Sequence, residues 1–263
     1  MTRTISPSLA PVLEQLELHA EDLVTTERLD ELVHAAGIGT STRLVAARLR
    51  ERGWLLNTGE RGVWEFAPAA AAGPYSRGGP TRLFRSFLAH SNVVCGLTFQ
   101  AAAWALNAAD RAPTRPEIAV ANRADLRRIP KGLDASVFDP QLPYTRAKRV
   151  PTLQPASILV HMAESPNRVR SWVSAQEWLP ELAAEVNAAD VLTELQGRAA
   201  TVSARTGYLL QGLRADIAAD IPRPSTTTWF GPRGPLKRRR DNHWKVADTL
   251  LPFNPRDLHP ATS

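Results

Sequence analysis

Apolar positions recur at helical spacing through the first forty residues. In "SPSLAPVLEQLELHAEDL", Leu9, Val12, Leu13, Leu16 and Leu23 fall on one stripe and Ser6-Pro7 is a start signal, so the spacing predicts a first helix. "TTERLDELVHAAG" repeats the pattern with Leu29, Leu32, Val33 and Ala36. It offers Thr25 or Thr26 as N-cap, gathers acids in its first turns and stops at Gly37. After Ile38-Gly39, Thr40 or Ser41 can cap a third helix that runs to about Arg52, with Gly53 ending it. The period then changes. "WLLNTGERGVWEFAP" alternates as two strands about a turn at Asn57–Gly62, closed by Pro68.

"AAAAGPYSRGGP", residues 69–80, is small, rich in Gly and Pro and aperiodic, the composition of a linker. Beyond it the pattern is mixed. "TRLFRSFLAHS", "TFQAAAWALNAA", "PASILVHMAES", "VRSWVSAQEWLPELAAEVN", "AADVLTELQGR" and "ATVSARTGYLLQGLRADIA" predict helices. "PEIAVAN" predicts a short strand, "RADLRRIPKGLD" a turn-rich basic segment, and "STTTWFGPRGPLKRRRDNHWKVADTLLP" strands and turns. No internal repeat interrupts this order. The expected fold is α+β: a winged helix-turn-helix over 1–68, a linker over 69–80, and a larger mixed α/β domain over 81–263.

Projected at about 100° per residue, the third helix sets Val45 and Leu49 on one side, ready to pack on the two helices before it. Thr40, Arg43, Ala47 and Arg50 fall opposite, with Ala46 at the margin and Arg48 and Arg52 nearer the packed side. Small residues between long donors suit a helix that enters the DNA major groove. Thr40 and Ser41 at the helix start can offer hydroxyl and backbone N–H groups to a phosphate. Arg61, between Gly59 and Gly62 at the ribbon tip, suits a wing on the DNA backbone or minor groove. For a single basic helix, a solvated face is the commoner outcome. Here helix, tight turn, helix and ribbon arrive in the order of a winged helix-turn-helix, with acids on the flanking helices. That order favours DNA.

Charge sharpens the picture. Residues 1–40 carry two Arg against seven acids, and residues 41–68 carry five Arg against three Glu. The remainder carries 25 basic residues against 16 acidic ones, within a chain of net charge +6. An acidic start followed by basic segments implies a polyanion met in a defined orientation. Only four of the basic residues are Lys, a bias that genomic base composition also produces, so position counts for more than Arg identity. Three basic clusters mark the second region: Arg123/Arg127/Arg128/Lys131, Arg146/Lys148/Arg149 and Lys237/Arg238/Arg239/Arg240. They are candidates for auxiliary phosphate contacts or for an acidic partner, with salt-dependent affinity. Trp172, Trp178, Trp229 and Trp244 are expected in the core.

No window approaches eighteen consecutive apolar residues, and the N-terminus has no signal-peptide core, so a soluble cytoplasmic protein with no membrane partner is expected. The one cysteine, Cys95, excludes a disulfide framework or a multi-cysteine metal site and reads as a small buried residue. The six histidines are scattered. His161 and Glu164 form a lone i,i+3 pair, expected on a partly exposed helix side. There is no G-x-S-x-G and no Gly-rich phosphate loop, and none of the four lysines follows a Glu at two residues' distance, as the strand of a metal-dependent nuclease commonly has. No enzyme, metal or cofactor is expected.

The chain resembles the AbiEi-type antitoxin and transcriptional regulator family of type IV toxin–antitoxin systems. The resemblance starts in the wing, "RLRERGWLLNTGERGVWEFAP". It continues through "FLAHSNVVCGLTFQAAAWALN", similar to the helix that opens the family's second domain, and through "IPKGL", "RVPTLQPASILVHMA" and "RTGYLLQGL" in the same order. The resemblance covers nearly the whole chain, with the tail "PFNPRDLHPATS" and the "KRRR" run left unmatched. It implies an N-terminal winged helix and a C-terminal α/β domain. It further implies double-stranded DNA as partner, bound at inverted repeats in the protein's own promoter, and a nucleotidyltransferase-like toxin counteracted without a stable complex. By the same resemblance Thr40, Ser41, Arg43, Ala47, Arg50 and Arg61 are the DNA-contacting positions. Three rivals differ in class: an interaction protein whose basic second domain grips a partner directly, a repressor with no toxin, and a nucleic-acid-processing enzyme.

Overall fold

The computed structural model describes residues 6–19, 21–68, 80–234 and 238–260. By internal contacts the chain divides into two compact units, Met1–Asn92 and Val93–Ser263. All of the expected linker except Pro80 lies outside the described residues.

In the first unit the elements run α1 (Ala10–Leu18), β1 (Leu23–Thr25), α2 (Thr26–Ala35), α3 (Thr42–Glu51), β2 (Leu55–Asn57), β3 (Val63–Phe66) and α4 (Arg82–Ala89). The three strands form an antiparallel sheet in the order β1-β3-β2. Leu23 therefore does not continue the first helix, although its spacing fits one. A seven-residue interval satisfies a helix, but Leu23–Thr25 instead pairs with the outer edge of β3, which puts Val24 in the core. Thr25 caps α2 as expected, its hydroxyl accepting from Arg28 N–H at 3.1 Å. The turn after α2 passes through Gly37 at φ +64, and α3 ends at Gly53 at φ +74. One core joins these elements: Leu9, Val12, Leu13 and Leu16 from the first helical segment, Leu29, Leu32 and Val33 from α2, Val45, Ala46 and Leu49 from α3, and Trp54 and Phe66 from the ribbon.

The contact boundary falls after Asn92 rather than after residue 80, because α4 is fastened to the ribbon. Arg82 Nε lies 2.6 Å from Glu65 Oε2, Arg85 pairs with Glu65 and Asp22, and Ser86 Oγ donates to Glu60 at 2.7 Å.

In the second unit the order is β4 (Cys95–Leu97), α5 (Phe99–Ala105), β5 (Glu117–Val120), β6 (Asp134–Val137), β7 (Thr145–Ala147), β8 (Val150–Thr152), α6 (Pro155–Glu164), α7 (Trp172–Ala184), α8 (Ala188–Leu195), α9 (Ala200–Leu213), α10 (Ala215–Asp220), β9 (Thr228–Phe230), β10 (Arg239–Asp241) and β11 (Val246–Asp248). β4 to β8 make a mixed five-stranded sheet, β6-β5-β4-β8-β7, and β9 to β11 a second small sheet. The stretch "FLAHSNVVCGLTFQAAAWALN", expected to hold a helix, is the end of α4, strand β4 and then α5, with Phe99 at φ +47 on the joint. The expected single helix over 200–218 breaks at Arg214. There the guanidinium donates to the carbonyls of Ala183 and Val186 and pairs with Asp216. Gly207, inside α9, lies under the Trp244 indole, which a Cβ would meet at 2.2 Å.

α6 is the centre of this unit, buried from Ala156 through Ala163 and packed on α8 and α9. Its polar side chains all have partners. His161 lies between the rings of Phe99 and Phe138, each centroid 4.3 Å away, and hydrogen-bonds Thr98 Oγ1 at 2.8 Å and Ser136 Oγ at 3.2 Å. It is fully buried, not on a partly exposed helix side as its place in the sequence suggests. Burial, aided by Arg198 and Arg168, holds its pKa well below the ordinary 6.5, so the ring is neutral. Burial acts oppositely on Glu117, raising its carboxyl from 4.5 to about 7 against the pull of the Ala101 N–H and Arg170.

These two groups oppose each other in pH. Between pH 4.5 and 6.5 the unfolded chain binds an extra proton at His161, and the folded chain holds an extra one at Glu117. The two wild-type contributions therefore oppose each other as the pH falls. Glu117→Gln should remove one side, so that stability falls with decreasing pH by about 1.4 kcal/mol per unit relative to wild type. Urea unfolding of both proteins from pH 7 to 4.5 checks this; parallel curves would contradict it.

Candidate nucleic-acid interface

α3 carries the surface on which the sequence concentrates its candidates. Val45, Ala46 and Leu49 are buried, while Arg43, Ala47 and Arg50 are exposed. Ala46, expected at the margin, is only 4 % exposed, and this small fact turns the helix. Counting Ala46 as inward rotates the outward direction by about 30° at 100° per residue, from Ala47 toward Glu51 and Leu44. Arg43 and Arg50 then flank that direction on one side and Arg48 on the other. Arg48, which the sequence sets nearer the packed side, is exposed and joins the candidate face. Arg52, half-buried at the C-cap, does not.

Thr40 precedes the helix, and Ser41 is the N-cap residue with no side-chain capping bond. The helix start is held instead by Thr42, whose hydroxyl donates to Asp30 Oδ1 on α2. No acid lies in the first turn of α3, and its one acid, Glu51, closes it. The small side chain of Ala47 opens a shallow groove of about 460 Å³ that continues past Arg50 and Glu51 to Leu55–Asn57.

Arg61 is exposed at the tip of the β2–β3 ribbon. The tip is braced from both sides. Gly62 O accepts from Thr26 N–H at 2.9 Å and from its hydroxyl at 3.1 Å. Thr58 Oγ1 donates to Val63 O at 2.8 Å, and Glu60 is held by Ser86. The neighbouring cations of this unit are engaged internally: Arg28 with Glu21 and Glu31, and Arg82 and Arg85 with Glu65.

The structure sorts the basic clusters of the second unit. Arg123, Arg127 and Arg128 lie on a 3-10 helix that leaves the C-terminal end of β5, with Arg128 paired to Asp125 at 3.2 Å. Arg146, Lys148 and Arg149 sit on the β7–β8 hairpin, whose turn holds Lys148 and Arg149 at φ +47 and +66. β7 runs parallel to β5 through the intervening pairings, so Arg123 and this turn stand at the same end of the sheet. Lys131 precedes β6 and lies at the other end. Lys148 Nζ is hydrogen-bonded to Asn107 at 2.9 Å and lies 5.7 Å from the Trp104 ring. In the last cluster Arg238 is exposed, Arg239 is half-buried, and both are hydrogen-bonded within the unit. Arg239 pairs with the buried Asp248 at 3.0 Å, Arg238 and Arg239 donate to Leu251 O, and Arg240 is exposed. Lys237 lies outside the described residues.

Cys95 is buried and its thiol is pushed up to about 12 by that burial. Trp172, Trp178 and Trp244 are in the core, and Trp229 is half-buried. Among the described residues no group of three or more His, Cys, Asp or Glu could hold a metal ion, and no helix is long and apolar enough to cross a membrane.

Residues 92–212 match the family model of the AbiEi antitoxin C-terminal domain. The match begins at Asn92, one residue before the second unit, and ends inside α9, leaving the small sheet and the basic run at 237–240 outside it. In fold the chain is similar to the crystal structure of the RV2827C protein from Mycobacterium tuberculosis. The TM-score is 0.76 at 24 % identity, over 95 % of this chain and 94 % of that one. No curated protein matches the chain.

The bracing of the wing is testable at Gly62. Its φ of +79 disfavours any side chain, and a Cβ would lie 2.7 Å from Thr26 Oγ1. Gly37 has a similar φ of +64 with open space around it. Gly62→Ala should cost about 1–2 kcal/mol from the backbone alone, plus the cost of displacing Thr26, and so more than Gly37→Ala in urea unfolding. Equal losses would show that the Thr26 contact contributes nothing.

Proposed function

We propose that this chain, in which a winged helix precedes a unit matching an antitoxin family, is a DNA-binding autorepressor and the antitoxin of a two-gene system. The observation that supports the DNA reading is the outer face of α3, where Arg43, Arg48 and Arg50 surround Ala47 and the first turn carries no acid. In this reading the N-terminal half of α3 enters the major groove, where an arginine can donate two hydrogen bonds to one guanine. Thr40, Ser41 and the backbone N–H groups that open the helix meet phosphate. Arg61 steadies the wing on the DNA backbone or in the minor groove. The exposed cations of the second unit add phosphate contacts, which makes affinity fall steeply with salt. The operator is an inverted repeat in the protein's own promoter.

The family match supports the antitoxin half. The proposed toxin is a nucleotidyltransferase-type protein, counteracted without a stable complex. The work is binding, with no metal, cofactor or catalytic step assigned to this chain.

Arg43→Ala or Arg50→Ala should weaken binding to the promoter fragment upstream of its own gene by about 5- to 150-fold, the effect of losing one bidentate base contact. Gel-shift titrations at fixed salt measure this, and unchanged affinity for both variants sinks the DNA reading. The antitoxin half is tested separately, by expressing the product of the adjacent gene with and without this chain. Growth arrest relieved by the full chain is expected, and arrest that persists overturns it.

A further inference from the structure

Leu44 is 44 % exposed in the N-terminal half of α3. Single exposed leucines are ordinary on protein surfaces. This one is notable for its place. The inward direction set by Val45, Ala46 and Leu49 puts Leu44 and Ala47, three residues apart, astride the outermost line of the helix. Arg43 and Arg50 border this small apolar strip on one side and Arg48 on the other. A helix face meant only for water carries polar groups along its outermost line. A face meant for phosphate alone has no use for a leucine between arginines.

The DNA major groove offers one apolar group, the 5-methyl of thymine, next to the acceptor edges of guanine. An apolar strip bordered by guanidinium groups has the same arrangement in reverse. Glu51, on the same outward line at the C-terminal end, limits the strip to the first two turns, the part of a recognition helix that meets base edges.

We propose that Leu44, supported by Ala47, is a specificity-determining residue that packs on a thymine 5-methyl group in the operator, beside bases read by Arg43 or Arg50. The proposal rests on the DNA-binding reading and adds to it a base and an atom. It places a thymine in the contacted part of each half-site, where cytosine or uracil lacks the methyl that the leucine covers.

The test uses the promoter fragment upstream of the gene, made once with thymine and once with every thymine replaced by uracil. Base pairing is unchanged, and only the methyl groups are lost. Wild-type protein should bind the uracil form about 4-fold more weakly for one buried methyl, or about 15-fold for one in each half-site. Leu44→Ala should bind the thymine form weaker by a similar factor and no longer distinguish the two forms. Arg43→Ala should bind both forms more weakly and keep their ratio. Leu44 is outside the core, so the thermal midpoint of Leu44→Ala should match wild type.

Wild-type protein that binds both forms equally overturns the proposal. So does a Leu44→Ala variant that keeps the wild-type ratio, because the preference then arises from another residue or from DNA shape. In both cases the DNA reading itself stands. Wild-type protein that binds neither form overturns the DNA reading, and this proposal with it. Leu44→Ala that leaves DNA affinity intact but loses a protein partner assigns the strip to protein contact and overturns it as well.

Discussion

The apolar side of α3 is buried in one cluster with residues from α1, β1, α2 and the ribbon, and this burial sets the direction of every charged side chain on the helix. A ten-residue helix is marginal alone in water, so its existence and its orientation both come from packing. With Val45, Ala46 and Leu49 inward, Arg43, Arg48 and Arg50 have only the outside to occupy. β1 closes the sheet behind the helices, and Trp54 stacks near Phe66 with centroids 6.4 Å apart. The wing is then fixed by polar contacts, Gly62 with Thr26 and Glu60 with Ser86. A rigid helix and a braced ribbon can hold a recognition surface to the tolerance that base contacts require.

The second unit obeys a different constraint. It buries carboxylates, and a buried charge without a partner is very costly. Glu194 accepts from the backbone N–H groups of Gln141 and Leu142, from Ser157 and from Arg198, whose guanidinium also lies 4.1 Å from the Phe138 ring centroid. Asp248 accepts from Tyr208, Arg239 and two backbone N–H groups. Arg205 and Arg214 donate to backbone carbonyls between elements. Many arginines that make this half basic in sequence therefore hold the interior together. Net charge does not map the surface; only the exposed remainder, such as Arg123, Arg127, Arg146 and Arg240, can meet a polyanion.

Long periodic segments were legible before any coordinates. Leu29, Leu32 and Val33 repeat at helical spacing and form the buried side of α2, and Gly37 and Gly53 adopt the positive φ that ends a helix. Several strands of the five-stranded sheet were not. "CGL", "TRA" and "VPT" are too short for a two-residue period to show, and they are strands because neighbours across the sheet pair with them. Arg214 interrupts a helical pattern where its guanidinium bonds the carbonyls of Ala183 and Val186. The depth of His161 was hidden for a similar reason. One histidine in an apolar helix looks the same at a surface or in a core until Thr98 and Ser136 supply its hydrogen bonds.

Local signals along the chain set the succession of three helices and a ribbon in the first unit, though not strand β1, together with the boundaries of α2 and α3 to within a residue or two and the arginines along α3 and at the ribbon tip. These are local properties, set by period, caps and glycine. Packing between elements decided which way α3 is rolled, because a single alanine, Ala46, joins the core cluster of the first unit. That roll admits Arg48 to the outer face and leaves Leu44 on its crest. Tertiary structure also decided which arginines stay exposed, because ion pairing between segments far apart in the chain leaves no period for a sequence to display.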